Sequence, residues 1–128
     1  MFKIKNIYEP PEEGDGFRIL VDKSWPSDLS GEDTKVDLWL KEIAPSKDMD
    51  EWPEEVLDIF ERFKENYRNE LRKKKTIIAL IKKMEKENGT VTLLYSGNDP
   101  KCNAAAVLGD ELRGYRVIKR TVGRIHGG

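Results

Sequence analysis

The stretch that decides the fold is TVTLLYSGNDP, which occupies residues 90–100. Residues 90–95 form a short apolar run rich in strand-forming residues, typical of a strand buried on both faces of a parallel sheet. Ser96, Gly97 and Asn98 follow as a polar turn, and Asp99-Pro100 has the residue types of a helix N-cap followed by proline at the first helical position. The stretch therefore predicts a strand, a turn and a helix in direct succession.

Earlier parts of the chain predict elements that fit around this stretch. Residues 2–7 and 17–22 have the composition of strands, the first with one face exposed and the second buried. Apolar residues spaced by three and four predict a long helix that begins at Pro53, followed by a second helix or a continuation that Gly89 ends. Strands that alternate with helices predict a small layered α/β domain with a mainly parallel sheet flanked by helices.

The remaining segments predict shorter elements within one domain of residues 1–128. Residues 36–43 indicate a short helix or turn over the core. The helix after Asp99 carries one apolar face and ends at Gly114, and residues 115–118 have the composition of a last strand. We expect residues 119–128 to form a flexible basic tail.

Composition excludes several classes of protein. Charged residues make up 37% of the chain, above the usual ~25%, yet the net charge is only -1. This balance excludes a strongly basic nucleic-acid binder, and a hydrophobic content of 38% excludes a disordered acidic chain. Cys102 is single, so no internal disulfide is expected. No apolar run has the length of a membrane span, so we expect a cytoplasmic protein with no membrane partner.

The charges are unevenly distributed along the chain. Residues 42–61 carry eight acids and one lysine, whereas residues 62–75 carry seven bases and two acids. Five bases and no acid follow from Arg113 onward. Nucleic acid is therefore expected as a partner only through the basic tail. The Lys/Glu-rich composition, which lacks Gln, indicates a thermophilic and archaeal source.

Polar residues follow the two buried strands at the edge where parallel sheets usually bind ligands. Asp22 and Lys23 follow one strand, and residues 96–98 follow the other, next to a helix N-terminus that favours anions. In the alternative interpretation, Asp99 only caps the helix and Gly97 only turns the chain. Residues alone leave both interpretations open.

Cys102 lies near the predicted third position of the last helix, where a helix N-terminus can lower a thiol pKa. However, it flanks an apolar stripe, and the only histidine, His126, lies in the tail, so an inert thiol is favoured. The scarcity of His and Cys predicts neither a metal site nor a cofactor. Trp25 is a candidate for stacking on a ligand, although a tryptophan beside apolar runs is more often part of the core.

Several motifs resemble the YeaO-like branch of the family called domain of unknown function 488. They are IYEP at residues 7–10, DGFRILVD at 15–22, WP at 25–26, LWLKEIAPS at 38–46, TLLYS at 92–96, the F-x-x-x-Y-x-x-E-L pattern at 63–71, and matches at Asn103, Ala105, Val107 and Leu108. The resemblance implies an α/β domain, and it implies no established reaction.

The chain departs from the family pattern mostly at basic positions. The usual D-R-L-W-P-R-G is DKSWPSD at residues 22–28, and the usual L-R after the A-P-S segment is Met49-Asp50. The usual S-A-K is Ser96-Gly97-Asn98, and the usual N-H-A is Asn103-Ala104-Ala105. The resemblance thus implies a retained scaffold that has lost positive charge at its site.

We therefore expect a polar or anionic small ligand at the turn of residues 96–102, with no assigned reaction. The alternative is a non-enzymatic protein-interaction module or homodimer. The candidate ligand-binding residues are Asp22, Lys23, Trp25, Ser46, Ser96, Gly97, Asn98, Cys102 and Asn103.

Overall fold

A computed structural model describes residues 1–51 and 58–114 of the chain. Its strands are β1 (Phe2–Asn6), β2 (Phe17–Leu20), β3 (Leu38–Trp39) and β4 (Val91–Tyr95). Its helices are the single turn α1 (Gly31–Thr34), α2 (Ile59–Arg72), α3 (Lys75–Asn88) and α4 (residues 104–114). Short 3-10 turns occupy Glu13–Asp15, Lys41–Ile43 and Met49–Glu51.

The four strands form one parallel sheet in the order β1-β4-β2-β3. Val91 is paired with Phe2 of β1 on one side and with Phe17 of β2 on the other. Every residue of β4 is buried, as its apolar sequence predicts for a central strand. The predicted α/β domain with a parallel sheet is confirmed.

The main core lies between the sheet and the long helices. Its largest fully buried side chains include Tyr67 and Leu71 of α2, Ile81 of α3, Leu93 of β4 and Leu108 of α4. The spacing of the apolar residues in α2 places them on one face toward this core. The packing holds α2 and α4 beside the ends of the strands.

Two elements differ from their predictions. Residues 38–39 form a strand instead of a helix or turn, because Asp37 N–H donates to Arg18 O and Leu40 N–H to Leu20 O along the edge of β2. The long helix begins at Ile59, later than predicted, because Asp58 adopts a left-handed backbone with φ 53°. Pro53 lies outside the described residues, as does the predicted strand at 115–118 and the basic tail.

The helices after Asp58 otherwise follow the sequence pattern. α3 is a separate helix and not a continuation of α2, since Lys73 and Lys74 separate them. Gly89 ends α3 with φ 79°, and its N–H donates to Glu85 O at 2.7 Å. This confirms the predicted glycine cap.

Lys5 lies in β1, whose charged residues were expected on an exposed face, but its side chain is buried. Its Nζ donates to Asp15 Oδ2 at 3.1 Å, to Glu12 Oε1 at 2.9 Å and to Pro10 O at 3.0 Å. Arg18 also donates to Asp15, which is fully buried. Burial alone would raise the pKa of Asp15, but the Glu12 N–H and the Lys5 and Lys3 ammonium groups outweigh it and lower that pKa to about 2.

Candidate functional site

The carboxyl ends of β2 and β4 meet through Asp22 and Ser96. The backbone ladder continues past β2, since Val21 N–H donates to Leu94 O at 3.1 Å. Ser96 then donates twice to Asp22 Oδ2, from its N–H at 2.9 Å and from its Oγ at 2.6 Å. The predicted neighbours at the two strand ends therefore lie in direct contact.

This contact lies in the wall of a cleft with a volume of about 390 Å³. Part of the lining is polar or charged and comes mainly from the strand ends and the turn after β4: Asp22, Lys23, Ser24, Asp48, Ser96, Gly97, Cys102 and Asn103. The rest is apolar or aromatic: Ala44, Pro45, Met49, Phe63, Tyr95 and Ala104. A few polar groups together with an apolar surface, here called the floor, are the usual composition of a small-molecule site.

The segment at residues 43–45, which contributes Ala44 and Pro45 to the cleft lining, is held by α2 and by Lys74 after it. Tyr67 Oη donates to Ile43 O at 2.6 Å, and Lys74 Nζ donates to Ala44 O at 3.2 Å. Tyr67 is fully buried, so the Ile43 carbonyl depends on this bond and not on water. The position of this segment is therefore set by α2 and by Lys74, which follows it.

Lys23 lies at the rim and is tied to the opposite side of the cleft. Its Nζ donates to Ser46 O at 2.7 Å. Ser46 in turn donates to Glu70 from its N–H at 2.9 Å and its Oγ at 2.8 Å. Ser46 thus connects Lys23 to α2. Ser46 itself is absent from the described lining of the cleft.

The turn after β4 differs from its prediction at the cap. Asp99 Oδ1 accepts hydrogen bonds from Lys101 N–H at 2.9 Å and Cys102 N–H at 3.0 Å, so it closes a turn before the helix. Asn103 is the residue that caps α4, because its Oδ1 accepts from Ala106 N–H at 2.8 Å. The prediction of Asp99-Pro100 as the helix start was wrong by about one turn.

Cys102 consequently precedes α4 instead of lying in its first turn. Its side chain is partly buried in the cleft wall. Burial, followed by the charge of Asp99, raises the pKa of the Cys102 thiol. The thiol activation that a helix N-terminus would provide does not occur here.

Six of the nine candidate residues contribute to the described cleft lining: Asp22, Lys23, Ser96, Gly97, Cys102 and Asn103. Trp25 does not, because its Nε1 donates to Leu29 O and its ring packs edge-on against Trp39, with centroids 5.8 Å apart. Asn98 is exposed in the turn. The sequence interpretation did not include the apolar floor among the site residues. The sequence features that could have indicated it are the apolar pattern around Phe63 and the segment at residues 44–45.

The carboxylate of Asp22 has an altered environment in the cleft. Burial raises its pKa, and the two hydrogen bonds from Ser96 only partly offset that effect. Burial also raises the pKa of Tyr95 at the floor, so this phenol is uncharged at neutral pH. The described lining therefore holds a partly buried carboxylate with a raised pKa, Asp22, near the uncharged phenol of Tyr95.

Comparison with known proteins assigns the family. A family model described as the inactive DUF488-N3 subclade matches residues 1–118. The chain belongs to the DUF488 family, as a YeaO-like member. It is 39% identical to the uncharacterized protein YeaO of Escherichia coli strain K12 over 114 residues, which cover 85% of this chain and 94% of YeaO.

Two mycobacterial proteins are also similar to this DUF488 chain. The uncharacterized proteins Rv3073c of Mycobacterium tuberculosis strain H37Rv and Mb3100c of Mycobacterium bovis are each 34% identical over 80 residues, covering 62% of this chain and 68% of theirs. No solved structure matches the chain significantly.

Two of the basic positions of the family pattern fall in the described lining of the cleft of this DUF488 member. Lys23 stands where the pattern has arginine, and Ala104 stands where it has histidine; both line the cleft. Ser27 and Asn98, which replace two other bases, lie outside the described lining. The altered charge is therefore partly at the site itself.

Other features bear on the partners of this DUF488 chain. Residues 1–51 and 58–114 contain no group of three or more His, Cys, Asp or Glu side chains that could hold a metal ion. None of the helices in these ranges has the length and apolar character that crossing a bilayer requires. A second groove, of about 290 Å³, lies beside α2 and α3 and is lined by Leu71, Arg72, Lys75, Ile78, Ala79, Lys82 and Glu111.

Proposed function

We propose that this DUF488 protein binds a small polar molecule in the strand-end cleft and does not turn it over. The observation that carries the proposal is the contact between Asp22 and Ser96 in the wall of a 390 Å³ cleft. It places a partly buried carboxylate in the same cleft as the apolar side chains of Phe63, Tyr95 and Met49. Few convergent polar groups over an apolar surface favour recognition of one small ligand.

The absence of turnover is supported by the chemistry of the described lining. A nucleophile needs a neighbouring base or a lowered pKa. The Cys102 thiol has a raised pKa, and the Ser96 hydroxyl donates to a carboxylate without a histidine in the described lining. Ala104 occupies the position of the histidine in the family pattern, and the matching subclade is described as inactive.

The test is a thermal-shift and ligand-observed NMR screen of nucleotides, phosphorylated metabolites, amino acids and amines. Ser24→Trp fills the cleft, whereas Ser27→Trp is a matched control, since both serines are exposed in the same loop and only Ser24 lines the cleft. We expect hits whose binding disappears in the first variant and persists in the second. Hits that bind equally to both variants, or an empty screen, would contradict the proposal.

A second candidate function is binding of an acidic segment of a partner protein. It is favoured by the second groove, where Leu71, Ile78 and Ala79 are accompanied by three cationic residues, Arg72, Lys75 and Lys82. The one acid there, Glu111, is 3.0 Å from Arg68 Nε, which offsets its charge. Apolar contacts framed by cations suit an amphipathic helix with Glu or Asp flanking its apolar face.

This candidate is tested with synthetic amphipathic peptides of opposite charge. A Glu/Leu peptide is expected to bind with salt-sensitive affinity and a Lys/Leu peptide not to bind. Lys82→Glu is expected to weaken binding, while Lys83→Glu, on a lysine outside the described lining, should not. Equal binding of both peptides would contradict the proposal that this groove binds an acidic segment. Homodimer formation and nucleic-acid binding through the tail, which lies outside the described residues, stay predictions.

A further inference from the structure

We propose that the ligand of the strand-end cleft is a small organic amine, which presents its protonated nitrogen to Asp22, and not an anion. The inference rests on the proposed function, because it assigns a chemical class to the molecule bound in that cleft. It departs from the expectation of a polar or anionic ligand drawn from the sequence. Three features of the cleft carry it: its charge, the geometry of Asp22 and its apolar floor.

The first feature is the balance of charge around the cleft. The described lining carries two carboxylates, Asp22 and Asp48, and one ammonium group, Lys23. Lys23 is already engaged, since its Nζ donates to Ser46 O at 2.7 Å. Within the described lining an anion would therefore find one ammonium group, which already donates to a carbonyl, whereas a cation is attracted to the carboxylate of Asp22.

The second feature is the way in which Asp22 is held. Both hydrogen bonds from Ser96 reach Oδ2, and within the described residues no donor reaches Oδ1. A carboxylate oxygen can accept more than one hydrogen bond, so Oδ1 remains available as an acceptor. An ammonium group there would form a charge-assisted hydrogen bond, which is about twice as strong as a neutral one.

Burial supplies the energetic reason for a cation at this position. A carboxylate taken partly out of water is destabilised unless an opposite charge accompanies it. This is why the pKa of Asp22 is raised in the unliganded protein. A bound ammonium would restore the missing countercharge and lower that pKa.

The third feature is the floor, which determines the rest of the ligand. Phe63 and Tyr95 provide aromatic surface, and Met49 and Pro45 provide aliphatic surface. A bare cation such as ammonium would leave this surface in contact with water. An amine that carries an aromatic or aliphatic body uses both the carboxylate and the floor.

The test compares three probes that share a phenyl ring and a two-carbon chain: 2-phenylethylamine, 2-phenylethanol and 3-phenylpropionate. Each is titrated into the full-length protein at pH 7 with detection by protein NMR. We expect the amine to bind at least about tenfold more tightly than the other two, as a hydrogen bond between charged groups implies. Asp22→Asn, which keeps an acceptor for Ser96, is expected to lose at least about tenfold in amine affinity, whereas Asp28→Asn, at an exposed aspartate outside the described lining, should keep it.

The outcomes separate this inference from the proposed function. If 3-phenylpropionate binds most tightly and its affinity is lost in Lys23→Met, the ligand is not an amine, but the cleft is still a binding site. Equal binding of alcohol and amine would lead to the same conclusion. If none of the probes binds, the inference of an amine ligand is wrong. Whether the cleft binds any small molecule is then decided by the ligand screen with the Ser24 and Ser27 variants.

A pH titration keeps the inference testable if Asp22→Asn fails to fold. The amine affinity of the unmodified protein is expected to fall as the pH drops through the pKa of Asp22, because the protonated carboxyl loses its charge. This loss should begin above the ordinary Asp pKa of 3.8. An affinity that is constant across this range would contradict the role assigned to Asp22.

Discussion

Ser96 donates both its backbone N–H and its hydroxyl to a single oxygen of Asp22, and so connects two strand ends that are 74 residues apart in sequence. The pair stabilises the ionised form of Asp22 against the effect of burial. It also leaves the other carboxylate oxygen for a ligand. Stability and the ionisation of Asp22 are thus coupled through one contact.

Ser96→Ala removes the hydroxyl donor and retains the backbone donor. We expect a loss of about 1 kcal/mol in the free energy of unfolding, as for one hydrogen bond, and a further rise in the pKa of Asp22. Urea denaturation measures the first effect, and NMR titration of the Asp22 carboxyl carbon measures the second. Ser27→Ala is the control, and an unchanged Asp22 pKa in Ser96→Ala would contradict the coupling.

The buried Asp15 makes stability depend on acid pH. Its pKa is lowered to about 2 in the folded chain from 3.8, so its contribution is complete above about pH 4 and is lost as the pH falls toward 2. Asp15→Asn is expected to cost about 3 kcal/mol at pH 7, because Lys5 and Arg18 lose their buried partner.

Urea denaturation between pH 2 and 7 tests this role of Asp15. The variant should show a shallower loss of stability between pH 4 and 2 than the unmodified protein. Asp28→Asn, at an exposed aspartate, is the control. Parallel pH profiles for the unmodified protein and Asp15→Asn would show that another group dominates the acid response.

Gly16 cannot be replaced without moving the backbone of the neighbouring strand. It has φ 63°, and an added Cβ would lie 2.2 Å from Thr90 O. Gly16→Ala is expected to destabilise the protein by at least about 2 kcal/mol, since it combines backbone strain with a clash. Gly31→Ala is the matched control, because no atom lies within 4 Å of the added Cβ there; equal urea midpoints for the two variants would refute the argument.

Tyr67→Phe tests whether α2 holds the segment at residues 43–45 in place. Removal of the hydroxyl leaves Ile43 O without its donor in a buried position. We expect a loss of about 1–3 kcal/mol on urea denaturation, the cost of an unsatisfied buried group. The amide chemical shifts of residues 43–46 should change more than those of β1. Changes confined to α2 would show that the segment at residues 43–45 does not depend on this hydrogen bond.

Cys102 is expected to react slowly with iodoacetamide at neutral pH, because its thiol pKa is raised by burial and by Asp99. Asp99→Asn preserves the acceptor for the turn and removes the charge. Its alkylation rate should be about two- to fivefold faster, because a lower thiol pKa gives more of the reactive thiolate. A rate unaffected by this substitution would assign the slow reaction to burial alone.

The strands and their polar exits were predictable because they depend on local pattern. Residues 17–20 and 91–95 are apolar runs bounded by turn residues, and parallel strands necessarily bring their carboxyl ends to one edge. The meeting of Asp22 with Ser96 follows from that geometry. The sequence does not determine whether Asp99 or Asn103 caps the helix. The two residues lie four positions apart, and the side chain of either can cap a helix.

The parts that escaped prediction depend on contacts between distant segments. Lys5 was expected to face water because its burial is possible only with Asp15 and Glu12 in place. The cleft floor required Phe63 of α2 to meet Tyr95 of β4, and no local pattern indicates that pairing. Leu38 and Trp39 form a strand because β2 offers an open edge, which their own sequence does not reveal.

The strand order has a consequence for synthesis on the ribosome. β4 lies between β1 and β2, so those two strands, though made first, gain their common neighbour only when residue 95 has been translated. Until then β2 pairs only with the two residues of β3. The nascent chain must therefore hold β1 without a neighbouring strand, and β2 with only β3 beside it, for most of its translation, and the strand-end cleft arises in the same event that completes the sheet.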